Sequence, residues 1–517
     1  MQMSISFTTK IQTFLKNHKR VLLCILCSLA MLRIFFFSAI FPFFNNVDEQ
    51  AHFDTVVKYS KGYLPHKENV NYEYESAKLI VLYGSPEYFY SSKDFNFAGI
   101  PSPLWTFDRK QLSSYNKEQI DKFINKQIVE WTTKNNLEAF SPPLYYAFAG
   151  MWYNLLKISG FKGGNLLYGI RFLNVFLYGI LFYLAYLLCK NTNKNNLLMQ
   201  FGILLLLTFF PQDVFYSINS DVLSPILCLL SLYLLIKISK SNRSSLFHLI
   251  TGIAVSAAFL TKFTNLPILI IFIILIILRI KNLLNEKRLK EQLPKLLLLV
   301  LGCLLPIIFW LGRNSFVLGD ITGNAAKIHY LGWTVKPLSE LWNHPIFTLK
   351  GLTYFVSGVL MTFWRGEFVW GLQRISSVRA DLFYVISSCI FVPVSIISTL
   401  VSKEDYSPEQ RFLNYISAFF FFFFIFLLAI LSIIYDFGTC WYPSRDYPFF
   451  TSGRLILGAF LPFLILYWDG LRVTVTRISA RINPLLIVLL ICILIMFSEI
   501  YITYPVFISN YNWFHMH

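Results

Sequence analysis

The run Val21-Leu-Leu-Cys-Ile-Leu-Cys-Ser-Leu-Ala-Met-Leu-Arg33-Ile-Phe-Phe-Phe-Ser-Ala-Ile-Phe-Pro-Phe-Phe44 leads directly into Asn45-Asn46-Val47-Asp48-Glu49-Gln50-Ala51-His52-Phe53. The first stretch is long enough to cross a bilayer, whose hydrocarbon core takes about 20 apolar residues of helix. The second places two adjacent carboxylates and a histidine where the chain leaves the membrane. If Ala51 and its neighbours are helical, Asp48 and His52 are four residues apart and share a face, while Glu49 is turned roughly 100° away. Only one of the two acids can then aim at a shared substrate. The alternative is a helix start, with Asp48 as its cap and the acidic pair at the positive end of the helix.

Working outward, the chain of 517 residues is 56% hydrophobic, 18% aromatic and only 14% charged. That excludes a soluble protein of this length and predicts an integral membrane protein. The net charge of +17 would suggest nucleic acid in a soluble chain. Here the basic residues fall between apolar runs and have a topological explanation, so nucleic-acid binding is rejected. Seven of the eight cysteines lie inside apolar runs and only Cys440 lies in a loop, which argues against a disulfide framework and a cysteine metal site. The N-terminus reads as an uncleaved anchor, because its apolar run is too long for a signal peptide.

Further apolar runs follow at 166–189, 197–216, 221–238, 246–260, 266–280, 296–311, 381–401, 412–435, 455–468 and 484–503. The aromatic-rich segments 142–158 and 351–370 are ambiguous, since Pro, Gly or charge interrupts each in the manner of interfacial helices. The expectation is an all-α polytopic membrane protein, a helical bundle of about 11–13 transmembrane helices with a large first extracytoplasmic loop. Its divisions are a cytoplasmic arm (1–20), a first span (21–44), an extracytoplasmic loop with interfacial helices (45–165), spans (166–312), a second large outer loop with an interfacial or re-entrant segment (313–380), and C-terminal spans (381–517) with an outer loop at 436–454. With the N-terminus in the cytoplasm, Lys and Arg are roughly twice as frequent in the short loops on that side, Lys194 among them. The Asn242-Arg243-Ser244 sequon falls on the same side and carries no information. Chemistry, if present, belongs to the other face.

Charges inside apolar runs need a reason. Arg171 is near enough to an end to reach the interface, whereas Arg33 sits mid-span and pairs with either a buried acid or a lipid pyrophosphate. Tyr59, Tyr63, Tyr72, Tyr74, Tyr83, Tyr88 and Tyr90 populate the first loop, which suits a surface on headgroups or sugars as well as an ordinary aromatic belt. Pro142-Pro143 can start a helix but not interrupt one, so a helix is expected from Leu144. Lys262, in a tight turn between spans, is either a ligand for a lipid phosphate or a lysine reaching for water. Arg454 opens a late span; Gly453 before it would let a ligand approach the backbone, and a helix N-terminus attracts phosphate. Asp221, after Asn219-Ser220, is a helix cap or a substrate contact.

Taken together, these pieces resemble the GT-C class of glycosyltransferases that use polyprenyl-phosphate sugars, which includes protein O-mannosyltransferases, the aminoarabinose transferases that modify lipid A, and uncharacterised bacterial multi-pass members. The resemblance rests on Asp48-Glu49-x-Ala51-His52-Phe53, on Ser141-Pro142-Pro143-Leu144-Tyr145-Tyr146, on Arg171, on Phe210-Pro211 and Ile218-Asn219-Ser220-Asp221, and on Gly453-Arg454. One departure stands out: relatives tend to read Gln-Gly-Arg-Tyr where this chain has Ser452-Gly453-Arg454-Leu455. The resemblance implies an inverting transfer of a sugar from a polyprenyl phosphate to a hydroxyl of a glycan, lipid or protein, in a bacterial cytoplasmic membrane or the ER of a eukaryote. Asp48, Glu49 and His52 would be catalytic, with Asp48 the general base. Lys262, Arg454, Arg313 and Arg365 would hold the donor phosphate, and Tyr145, Tyr146, Asn219 and Asp221 would contact substrate. A divalent metal on Asp48, Glu49 and His52 is the one cofactor considered, on an incomplete donor set. The alternatives are a secondary transporter or flippase for a lipid-linked or anionic substrate, which would show repeats and acids at mid-membrane, and a glycan polymerase or ligase.

Overall fold

A helix satisfies its own backbone hydrogen bonds, so an apolar run in hydrocarbon is driven to become one. The computed structural model describes residues 2–66, 70–90, 102–106, 117–192, 196–241, 243–440 and 442–516; Lys194 and Asn242 lie outside them, as does the side chain of Tyr90. Among the described residues nine helices are long and apolar enough to cross a membrane: Lys19–Ile40, Gly163–Thr192, Ser220–Ser239, Phe263–Asn285, Leu289–Leu318, Val378–Val401, Pro408–Ile434, Gly453–Ile478 and Pro484–Phe507. Leu197–Phe209 and Ser245–Phe259 are shorter apolar helices. The protein is an all-α, multi-pass integral membrane protein, and each apolar run read from the sequence has become a helix.

Boundaries differ where proline or polar residues intervene. Leu197–Phe209 stops before Pro211, which disfavours helix at the preceding residue, and the chain continues as a short turn at Asp213–Tyr216. The run expected over 296–311 belongs to a longer helix, Leu289–Leu318, which also accommodates Pro294 and Pro306, so Arg313 is helical rather than the first residue of a loop. The two ambiguous segments become Leu144–Ile158, which begins directly after Pro143, and Leu349–Arg365. Neither is among the nine long apolar helices, and Leu144–Ile158 packs along the helix Glu49–Ser60. Several first-loop tyrosines turn inward instead of onto a surface: Tyr72, Tyr145, Tyr146 and Tyr153 are buried, and Tyr88 donates to the Phe44 carbonyl at 3.1 Å.

Because successive spans alternate in direction, the loops after Lys19–Ile40, Leu197–Phe209, Ser245–Phe259, Leu289–Leu318 and Pro408–Ile434 all emerge on one face. Two antiparallel pairings tie this face together. Thr334 and Val335 pair with Asp436 and Tyr435, joining two loops, and Val369–Trp370 folds back on Gln373–Arg374.

Arg33 meets a buried acid: its Nη2 lies 2.7 Å from Glu499 of the last span, and Tyr216 donates to the same carboxylate at 2.6 Å. First and last helices are thereby joined inside the apolar layer. Arg171 does not reach for an interface. It is 1% exposed, at the joint between the helices Gly163–Arg171 and Leu173–Thr192, and grips Glu49 through Nε at 2.8 Å and Nη2 at 2.7 Å. The carbonyls of Ser38, Phe41 and Pro42 accept its remaining protons, while Glu49 also accepts from the backbone N–H groups of Phe44 at 2.8 Å and Ile218 at 2.9 Å. Every strong partner of both charges is therefore protein. Removing one member strands the other, at a cost of about 3–5 kcal/mol. Glu49→Gln or Arg171→Met should each lower the unfolding temperature in detergent markedly, and the double variant should lose less than the two losses added.

Candidate functional site

The clamp on Glu49 decides where Asp48 points. With Glu49 fixed to Arg171 and the helix beginning at Glu49, the chain turns sharply at Asp48, whose φ of 63° and ψ of 9° are left-handed. For a residue with a Cβ this backbone costs on the order of 1–3 kcal/mol and persists only where its surroundings impose it. The Asp48 side chain makes no capping bond to the helix. It projects instead to Arg454, with Oδ2 2.7 Å from Nη2, and remains 41% exposed.

Arg454 is the hub of an ion network drawn from distant segments. Its Nη1 lies 3.2 Å from Asp221 and its Nε 4.0 Å from Glu367. Lys262 donates to the other oxygen of Asp221, and Ser452 donates to Glu367. Asn219, not Ser220 or Asp221, caps the short turn Ser220–Leu223, its side-chain oxygen accepting from the Asp221 N–H at 2.9 Å. That leaves the Asp221 carboxylate free to hold Lys262 and Arg454 together. Gly453 does permit close backbone approach, but to protein and not to a ligand: a Cβ there would sit 2.0 Å from the Phe363 nitrogen, and its N–H donates to Thr362 at 2.8 Å.

On the other side of Asp48, His52 is fully buried and its Nδ1 lies 2.7 Å from the Tyr146 hydroxyl, while Nε2 has no partner among the described residues. Burial, joined by the charges of Lys262 and Arg454, pushes the imidazole down to about 4 against the pull of Glu138 and Asp48, so it is neutral at pH 7. Glu138 accepts from Ser141 at 2.6 Å and from Lys327 at 2.5 Å. Burial would raise Glu138, but Lys327, His52 and Lys262 outweigh it and hold the carboxyl well below the usual range. Asp48 behaves likewise: Arg454 and Lys327 overcome burial and keep it ionised. In Lys262 burial prevails over Asp221 and lowers the ammonium from its ordinary value.

The structure thus gathers Asp48, His52, Tyr146, Asp221, Lys262 and Arg454 around one polar recess and adds Glu138, Lys327 and Glu367. Asn219 borders it, fully buried, its Nδ2 without a partner among the described residues, and Tyr145 is buried beside Asn219. Three expectations need correction. Glu49 is committed to Arg171 and does not reach a substrate. Arg313 donates to the Pro65 carbonyl and lies over the Trp310 ring, and Arg365 pairs with Asp381 at 2.7 Å, so neither joins the cations around Asp48. Asp48, Glu49 and His52 do not form a metal-binding set, since Glu49 faces away, and among the described residues no group of three or more His, Cys, Asp or Glu converges as one. Glu138 and Lys327 escaped the sequence reading because each is an unremarkable charged residue in a loop; the nearness of Glu138 to Ser141-Pro142 was the only local signal.

Residues 31–440 match the family model described as a predicted membrane protein, DUF2142. No curated protein and no solved structure matches the chain. With most of its length inside that match, the chain belongs to the DUF2142 family of predicted membrane proteins.

Proposed function

We propose that the protein is an inverting glycosyltransferase of the GT-C type, which moves a sugar from a polyprenyl phosphate to an acceptor hydroxyl at the membrane surface. The observation that carries this reading is the meeting of Asp48, an ionised and partly exposed carboxylate, with Arg454 and Lys262 at one point on the loop face. Such a site has a proton acceptor and phosphate-binding cations side by side. Asp48 accepts the proton of the attacking hydroxyl as that oxygen bonds to the anomeric carbon; the bond to the phosphate breaks, and its electron pair leaves with the phosphate. Arg454 and Lys262 meet the charge that grows on the departing oxygen, which is where fixed cations contribute most. A single displacement inverts the anomeric centre.

The ion pairs give this reaction an order. Every cation in the recess already holds a carboxylate, so an arriving phosphate must compete with Asp48 for Arg454. Success in that competition relieves Asp48 of the charge that depresses its basicity. His52, neutral and with Nε2 unpartnered, is suited to a hydroxyl of the sugar or acceptor. The buried acid that a transporter would place in the apolar layer is represented by Glu499, but Arg33 already neutralises it, so that reading gains nothing comparable.

Three measurements bear on this. Asp48→Asn keeps the shape and removes the base, so surface glycans analysed by mass spectrometry should lose one residue, with transfer reduced about 10²–10⁴-fold while membrane insertion persists; unchanged glycans would remove Asp48 from the chemistry. Undecaprenyl phosphate should stabilise the purified protein against heat, less so for Arg454→Gln, and at least as well for Asp48→Asn, which frees the cation. Finally, Cys440 lies in the loop beside this face. Labelling of Cys440 in intact cells by an impermeant maleimide is expected if the face is extracytoplasmic, and its protection until lysis would place the site in the cytosol and end the lipid-carrier argument.

A further inference from the structure

Asp213 lies one layer behind the recess and takes no part in the chemistry above. It is 4% exposed, and its two oxygens bind different segments: Oδ1 accepts from the Asn46 side chain at 3.0 Å, and Oδ2 accepts from the Phe368 N–H at 2.8 Å. Asn46 stands two residues before Asp48, and Phe368 directly follows Glu367, which faces Arg454. The contact is close by design of the sequence: Gly366 has a φ of 85°, and a Cβ there would fall 1.8 Å from Asp213 Oδ1. Only glycine lets the carboxylate reach this turn.

We infer that Asp213 is a positioning residue for the Asp48–Arg454 pair, a single buried carboxylate that fastens the turn bearing Asp48 to the segment bearing Glu367 and loosens its hold on one of them when it takes up a proton. An ionised carboxylate accepts both N–H groups. A carboxylic acid has one hydroxyl oxygen, which is a poorer acceptor than a carboxylate oxygen and carries its own proton, so protonation weakens one of the two ties.

The surroundings suit such a change. Among the described residues no cation forms an ion pair with Asp213, since Arg365 is engaged by Asp381. The titratable groups facing it are Arg365, Glu367, Glu499, Tyr216 and Tyr384. A cleft of about 30 Å³ lined by these groups other than Glu367, and by Phe41 and Phe368, adjoins the carboxylate, which is room for a water molecule or two as the route of the proton. Burial, with Glu367 adding to it, pushes Asp213 up to about 7 against the two N–H bonds and Arg365. The fastening is therefore complete above neutrality and half undone below it. Asp48 and His52 do not change charge in that interval.

The test reads the turn itself and relies on the glycosyltransferase reading only for its meaning. In full-length protein reconstituted in liposomes, with Cys440→Ser as background, Val47→Cys is labelled by an impermeant maleimide across pH 6–8 and compared with a cysteine at exposed Ser376 measured in parallel. The ratio of the two rates should be several-fold higher at pH 6 than at pH 8, with a midpoint near 7. Asp213→Asn should hold the ratio high and flat. Should that variant not fold, Asn46→Ala removes the Asp48-side tie, together with the acceptor of the Val47 N–H, and should give the same flat profile. An infrared difference spectrum should gain a protonated-carboxyl band over the same pH range, absent in Asp213→Asn. A ratio that does not vary with pH in the parent, or a step that survives both substitutions, overturns the inference. Retention of the step together with indifference to undecaprenyl phosphate would instead uphold it and tell against the donor assignment.

Discussion

The arrangement of this protein's polar face depends on one buried ion pair, Glu49 with Arg171. Neither group touches water, so each must be neutralised and hydrogen-bonded by the other or by backbone. Meeting that demand fixes the end of the first span, the start of the helix Glu49–Ser60 and the segment around Ile218 in a single relation. The neighbouring Asp48 is then driven into a left-handed turn with its carboxylate directed away. Two adjacent acids of the same chemistry end up with opposite fates, one sealed in protein and one facing the recess.

From that point the recess is assembled by electrostatics across long distances in sequence. Asp48 and Arg454 are 406 residues apart, Lys262 and Asp221 41. The charges nearly balance, which keeps the site soluble in its own surroundings, and no cation is idle. Such a cluster is primed for exchange: an anionic ligand substitutes for a carboxylate already present and so need not create a new charge pair in a poorly solvated place. The same economy helps to keep the partly exposed Asp48 ionised.

How much of this could be read in the chain follows from the range of the forces involved. Spans were legible because hydrophobicity is a local sum, and the whole set of apolar runs reappears as helices. Asp48, Lys262, Asp221 and Arg454 could each be singled out, because a charge beside an apolar run is conspicuous. Their mutual contacts were not legible, since nothing local states that position 48 meets position 454. Glu49 was misjudged for the same reason: only Arg171, 122 residues on, distinguishes it from Asp48. Arg365 offers the reverse case, a cation conspicuous in the sequence yet claimed by Asp381, sixteen residues away. Asp213 carried no motif at all, and its importance comes from a glycine and an amide contributed by another part of the chain.

The bond between Arg33 and Glu499 has a consequence for biogenesis. Its partners are separated by 466 residues, on the helices Lys19–Ile40 and Pro484–Phe507. As the chain emerges from the ribosome, an arginine is inserted into lipid long before its counter-charge has been synthesised. The nascent protein must shelter that guanidinium, by water drawn into the membrane or by the insertion machinery, until the helix Pro484–Phe507 has been made. A chain truncated before Glu499 would present quality control with an exposed intramembrane cation.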